Sequence, residues 1–251
     1  MTADPPHPGR VVAVIPARMG STRFPGKPLA AETGKPMIQH VCEQASRARL
    51  LDRVLVAADD RRIVEAVHGF GGEAVLTAQD HPNGTSRIAE VARSLDCEVV
   101  VNVQGDEPMI DPATIDLVVR TLREDPGAPM ATVACPFAGT DDPADPNLVK
   151  VVIDADGRAS GFSRAPLPEA GRDGHSPLLR HVGLYAYRRA FLPVFAALPE
   201  TEGERTQRLE QLRALEHGHA IAVARCAGCH PGIDTPEQYA AFVREMDKLS
   251  D

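Results

Sequence analysis

The feature that most constrains this chain is an alternation of short apolar runs with amphipathic ones. The apolar runs are VVAVIP (Val11 to Pro16), VLVAAD (Val54 to Asp59), EAVLT (Glu73 to Thr77) and EVVVNVQ (Glu98 to Gln104). Continuous apolar segments of this length read as strands buried on both faces. Between them, Met37 to Ala48, Arg61 to Gly69 and Thr85 to Leu95 read as helices. Asp59 or Asp60 is suited to cap the second, and a further helix starts near Pro112. This order predicts an α/β fold: a mostly parallel, doubly wound sheet with right-handed crossovers and a site at the carboxyl ends of its strands.

From Met130 the pattern changes. MATVACPF, VKVVIDADGRASGFSR and LRHVGLYAYR read as strands, with Asp154 to Gly157 as a hairpin-like turn, which implies a smaller antiparallel element. Helices at Arg205 to Leu215 and Pro236 to Lys248 flank a strand at Ile221 to Arg225. Residues 1–251 therefore read as a single catalytic unit, with one lobe at 11–130 and a second at 131–251. Pro166 to Pro177, rich in proline, glycine and charge, reads as the mobile loop.

Composition narrows the function classes. Lys and Arg number 27 against 35 Asp and Glu, and the net charge of −8 disfavours nucleic acid and acidic membrane as partners. No apolar run of about 18 residues exists to span a bilayer. The start, MTADPPHPGR, lacks the apolar stretch of a signal peptide, so a cytoplasmic protein is expected. Five cysteines spread over a chain this long do not make a disulfide framework, and reduced thiols are the expectation. With no tryptophan and 4% aromatic residues, platforms for stacking bases are few. These exclusions leave a small-molecule enzyme as the leading class.

Two loops carry the chemistry. PARMGSTRFPGKPL (Pro16 to Leu29) sets Arg18, Arg23 and Lys27 among glycines and hydroxyls at a strand's carboxyl end, which suits a polyphosphate. It is not a Walker loop, because Ser21 and Pro28 stand where that motif needs glycine and a metal-binding hydroxyl. The prolines at 25 and 28 keep Lys27 from opening a helix, so extended chain is expected to wrap the ligand. A solvated basic loop is the plainer alternative. In NVQGDEPMI (Asn102 to Ile110), Gly105 turns the chain to present Asp106 and Glu107, carboxylates suited to a hard cation such as Mg²⁺. The alternative is that one of them caps the next helix, although Asp111 before Pro112 is better placed for that.

At these residues the chain resembles the 3-deoxy-manno-octulosonate cytidylyltransferases, also called CMP-Kdo synthetases. The resemblance spans nearly the whole chain through PARMGSTRFPGKPL, GKPMIQHV, AQDHPNGTSRIAE, VNVQGDEPMI, FSRA, LRHVGLYAYR, LEQLRALEHG and GIDTPEQY, in the family's order. It implies a nucleotide-diphospho-sugar transferase-like fold and transfer of CMP from CTP to the anomeric hydroxyl of Kdo, releasing pyrophosphate. By the same resemblance 11–130 binds nucleotide, 131–251 binds the sugar acid and forms a homodimer, and the product enters lipopolysaccharide biosynthesis. Such a transfer needs positioning and charge neutralisation and no covalent nucleophile.

The resemblance also assigns residues. Arg18 and Lys27 hold the CTP phosphates, with Ala17, Ser21 and Arg23 completing the loop. Asp106 and Asp234 bind Mg²⁺, although Asp234 in GIDTPE is equally placed to cap the last helix, as is Thr235. Thr77, Gly84, Thr85 and Arg87 fall in the base-recognition region. Gln104 also contacts nucleotide and, with Arg164, His181, Tyr185, Glu210 and Gln211, matches the sugar-acid pocket. The bland alternative is that His181 and Tyr185 alternate on a strand as core.

Some features depart from the family. CAGCHPG, holding Cys226, Cys229 and His230, is unexpected before Asp234. It fits the haem attachment pattern C-x-x-C-H, but that chemistry normally follows export, and a structural zinc site needs a second ligand pair that is missing. The loop at Pro166 to Pro177 is short for the family. A CTP-dependent transferase for another acidic sugar or a phosphonate is therefore the alternative function. A non-catalytic nucleotide-binding regulator is the alternative from another class, and retention of Asp106 and Asp234 argues against it.

Overall fold

The computed structural model describes residues 9–139, 141–165, 178–230 and 232–250, so the segment Pro166 to Pro177 lies outside the described residues. In chain order the elements are β1 (Val11–Ala17), α1 (Met37–Ala45), β2 (Arg53–Ala58), α2 (Arg61–Gly69), β3 (Ala74–Leu76), α3 (Gly84–Ala92) and β4 (Val99–Asn102). Then follow α4 (Pro112–Glu124), β5 (Met130–Cys135), β6 (Lys150–Ile153), β7 (Ala159–Ser163), β8 (Leu178–Arg188) and α5 (Phe191–Ala197). The chain closes with α6 (Glu202–Gln207), α7 (Gln211–Glu216), β9 (Ile221–Arg225) and α8 (Pro236–Ser250).

The chain forms two compact units, one of residues 1–113 with 230–251 and one of 114–229. The division differs from lobes at 11–130 and 131–251, because α8 returns to the first unit and the segment from Thr114 joins the second. In the first unit the strands run parallel in the order β3-β2-β1-β4. β1 and β4 are almost entirely buried valine, isoleucine and alanine, the pattern of strands covered on both faces. Asp60, not Asp59, caps α2 by accepting from the Arg62 amide at 2.9 Å. Asn83 caps α3 through the Ser86 amide at 2.8 Å, and Asp111 accepts from the Ala113 amide at 2.9 Å at the start of α4.

In the second unit β5 pairs antiparallel with β8 and parallel with β9, while β6 pairs antiparallel with β7 and β8. The helix expected over Arg205 to Leu215 is two helices. Arg208 adopts φ 53°, the left-handed region, and ends α6 before α7 begins. α5 was not signalled by the sequence pattern, since FLPVFAA is apolar on most faces and carries a proline. Among the described residues no helix is long and apolar enough to cross a membrane.

A buried ion pair joins α6 to α7. Arg213 donates to both carboxylate oxygens of Glu204, at 2.7 and 2.5 Å, and its guanidinium also lies 5.5 Å from the Phe195 ring centre. Glu204 is 7% exposed, so removing its partner strands a buried charge. Arg213→Ala is expected to lower the unfolding free energy by about 3 kcal/mol. The double change Glu204→Gln with Arg213→Met should recover most of that loss. Urea unfolding of the three proteins is the check.

Candidate active site

The cleft of the first unit is built where β1 and β4 end. Beyond Ala17 the chain folds back on itself: the Ser21 and Gly26 amides both donate to Met19 O, and Ser21 Oγ accepts from the Phe24 amide at 3.3 Å. Asp59, freed from capping, accepts from the Met19 amide at 3.0 Å and so fixes the loop to the end of β2. Gly26 takes φ 72°, open to glycine without strain, and Lys27–Leu29 then form one 3₁₀ turn. This corrects the extended chain expected there. A proline in the first turn costs no hydrogen bond, because the amide it lacks would have had no helical partner.

The Lys27 side chain, 12% exposed, is the hub. Its Nζ donates to Asp106 Oδ2 at 2.8 Å and to the Ile233 carbonyl at 2.7 Å, and stands 3.6 Å from Asp234 Oδ1. Arg23 pairs with the same Asp234 oxygen at 3.0 Å. The capping alternatives for the two aspartates therefore fall away. Thr235 Oγ1 accepts from the Gln238 amide at 3.3 Å to cap α8, while Gln238 Oε1 accepts from the Asp234 and Thr235 amides. Gly105 is needed where it is: a Cβ there would lie 2.7 Å from Pro16 O.

These groups face an open cleft of about 320 Å³ lined by Ala17, Arg18, Ser21, Arg23, Lys27, Gly84, Arg87, Gln104, Asp106 and Asp234, all expected from sequence. Thr77 and Thr85 are buried behind it. Thr77 Oγ1 donates to Ala58 O at 2.9 Å and accepts from Arg87 Nη1 at 2.5 Å, so it positions Arg87. Burial draws the Arg87 guanidinium below its ordinary pKa, against the charges of Asp59 and Glu90. His81, Asn83 and Thr22 also line the cleft and were not singled out from sequence. The His81 ring bonds Glu90 and holds that carboxyl below its usual pKa. The signal available was AQDHPNGTSRIAE itself, in which His81 and Glu90 sit on either side of the α3 cap. The Ile233 carbonyl left no sequence signal, since any residue supplies one.

The other expected sugar-acid residues lie in the second unit. His181, on β8, packs its ring on Phe162 and Tyr185 at centre distances of 5.1 and 5.5 Å, and its Nε2 lies 2.9 Å from Thr132 Oγ1. Thr132 Oγ1 is also 2.9 Å from Leu184 O, so its single proton goes to that carbonyl and His181 Nε2 donates to the hydroxyl. Burial pushes the His181 pKa down to about 3. Burial first, then Tyr187 and the Glu210 charge, push the Tyr185 phenol up. Gln211 is 4% exposed, and its Nε2 has no hydrogen-bond partner among the described residues. Arg164 donates to main-chain carbonyls of Gln207, Pro146 and Arg208, at 2.7, 3.0 and 3.5 Å.

A cytidylyltransferase family model matches residues 12–221. A 3-deoxy-manno-octulosonate cytidylyltransferase of Syntrophotalea carbinolica is 51% identical over 236 residues, covering 90% of this chain and 94% of that one. One from Geobacter sulfurreducens is 49% identical over 247 residues, covering 94% and 99%. A solved CMP:2-keto-3-deoxy-manno-octonic acid synthetase complexed with CTP superposes with a TM-score of 0.90 at 41% identity, covering 96% of this chain and 99% of that one.

Two outcomes follow from the geometry. Gly105→Ala is expected to destabilise the chain by about 1–3 kcal/mol, because backbone must move to relieve the clash; urea unfolding tests it. His181 gives a pH dependence. Its folded pKa lies below the ordinary 6.5, so its contribution is complete above pH 6.5 and is lost as pH falls from there towards 3. The loss approaches about 1.4 kcal/mol per pH unit in that window. His181→Gln should flatten the stability profile between those limits, measured by urea unfolding at stepped pH.

Proposed function

The chain belongs to the 3-deoxy-manno-octulosonate cytidylyltransferase family, and from that membership we propose how its own residues carry out CTP-dependent transfer of CMP to Kdo. The observation that carries the reading is the convergence of Lys27, Asp106 and Asp234 at the mouth of a cleft that also presents Arg18 and Arg23. The anomeric hydroxyl of the sugar acid attacks the α-phosphorus in line and gives up its proton to water. The bond from that phosphorus to the β-phosphate oxygen breaks, and pyrophosphate leaves with the negative charge. Arg18, Arg23 and Lys27 neutralise the phosphates, and their loop is already fixed by its own hydrogen bonds before substrate arrives.

Mg²⁺ is part of the proposal, with Asp106 and Asp234 as its protein ligands. The fit rests on the donor set: two carboxylates drawn to one point, where the single charges of Lys27 and Arg23 together offset theirs, as one divalent cation would. Among the described residues no group of three or more histidine, cysteine or acidic side chains is arranged for a metal. Mg²⁺ does not require one, because substrate phosphates and water complete its octahedron. When bound, the ion would withdraw charge from the phosphate oxygens. Gly84 and Arg87 on α3, with Thr77 behind, would present hydrogen bonds to cytosine, where a wrong base leaves buried polar groups unpaired. We further place His181, Tyr185, Glu210 and Gln211 toward the sugar acid, and propose a cytoplasmic homodimer formed through the region after Met130, testable by light scattering.

The deciding assay is pyrophosphate release from CTP and Mg²⁺ with and without Kdo, repeated with ATP, GTP and UTP. Release should require both CTP and Kdo, and Asp106→Asn should reduce it by about 10²–10³-fold, the cost of losing one charge-stabilising group. Asp234→Asn should lower the rate and raise the Mg²⁺ concentration needed. CTP binding without Kdo-dependent release would replace Kdo by another acidic acceptor. Undiminished turnover in Asp106→Asn would sink the assignment of the site.

A further inference from the structure

Three thiols meet in the second unit and serve none of this chemistry. β5 and β9 run side by side with Ala134 opposite Arg225, and the Cys226 amide extends the ladder by donating to Ala134 O at 2.9 Å. Cys135 closes β5 and Cys226 follows β9, so these two thiols leave neighbouring strand ends. The turn that follows, with Cys226 Sγ 3.2 Å from Gly228 O, brings Cys229 back until its sulfur stands 2.6 Å from that of Cys135. Cys135 is buried, whereas Cys226 and Cys229 are half-buried.

We propose that Cys135 and Cys229 are a dithiol pair that closes to an intramolecular disulfide when a low-molecular-weight disulfide is the oxidant. The arrangement divides the labour between them. The hydrogen bond from Cys135, and then the nearby Arg180 charge, favour the thiolate at Cys229. Hydrogen bonds to Cys226 and Cys229, and then burial, keep the proton on Cys135. Cys229 is thus both the more nucleophilic and the more accessible sulfur. Thiolates sharing a tetrahedral zinc stand about 3.7 Å apart, given Zn–S bonds of about 2.3 Å, so the closer approach here is nearer to that of bonded sulfurs than to a metal pair.

The steps balance. The Cys229 thiolate attacks one sulfur of the small disulfide, forming a mixed disulfide and expelling one thiolate, which takes up the proton leaving Cys135. The Cys135 sulfur then attacks Cys229, expelling the second small thiolate, which takes up the proton Cys229 had shed. Two protein thiols are oxidised and one small disulfide is reduced to two thiols. The bond would tether the chain just ahead of Ile233, whose amide donates to Asp106 O at 2.8 Å and whose carbonyl accepts from Lys27.

The test uses the full chain, reduced, freed of reductant and exposed to oxidised glutathione. Thiol titration under denaturant should fall by two from the five cysteines present. Peptide mapping should show Cys135 joined to Cys229, and dithiothreitol should restore both. Cys226→Ser should still form the bond; Cys229→Ser, a change at a half-buried position, should leave Cys135 reduced or joined to glutathione alone. Hydrogen exchange at the Ile233 amide should slow on oxidation of the parent and not of Cys229→Ser. Five persisting thiols, a bond made to Cys226 instead, or stoichiometric zinc shielding the sulfurs would overturn the pair. An unchanged Ile233 exchange rate would overturn the tether. None of these readouts depends on CTP or Kdo.

Discussion

One ammonium group organises the cleft of the first unit. Lys27 Nζ reaches Asp106, Asp234 and the Ile233 carbonyl, so three segments far apart in sequence are held at one point. Charge-assisted hydrogen bonds on a side chain only 12% exposed are stronger and less screened than surface pairs. They are supported by packing. Phe24 from the loop after β1, Met109 from the loop after β4 and Ile233 from the loop before α8 all pack in one cluster with Met37, Tyr239 and Phe242. The polar hub and the apolar cluster draw on the same three loops, so neither can shift without disturbing the other.

Topology explains why those loops meet. Parallel strands in the order β2-β1-β4 place the segment after β4 beside the segment after β1, at the carboxyl edge where crevices open in such sheets. Gly105 then permits the acidic loop to pass close to Pro16 O. The division of the two aspartates after β2 follows the same economy: Asp60 satisfies the α2 amide, and Asp59 reaches across to the Met19 amide.

Much of this was legible in the sequence because it rests on local rules. The apolar strands, a cap at Asp59 or Asp60, the cap at Asp111, and the placing of Arg18, Lys27 and Asp106 on loops after strands depend on patterns spanning a few residues. Pairing Asp234 with Asp106 needed the family resemblance, since no local rule links positions so distant. The 3₁₀ turn at Lys27 was hidden because proline's usual effect on helices does not apply to a first turn. The split between α6 and α7 was hidden because Arg208 carries no residue-type signal for a left-handed conformation. Thr77 and Thr85 are both buried, and the bond from Arg87 to Thr77 left no signal in the sequence because it depends on side-chain direction.

The second unit applies a different constraint, the cost of burying polar groups. Lys150 is fully buried and donates to Asp145 O and Arg164 O, and Arg164 in turn spends its guanidinium on main-chain carbonyls. These residues are satisfied by the fold. Gln211 is not: its buried Nε2 has no partner among the described residues. A buried donor left unpaired costs about 1–3 kcal/mol, which a ligand carrying a correctly placed acceptor recovers and one lacking it does not.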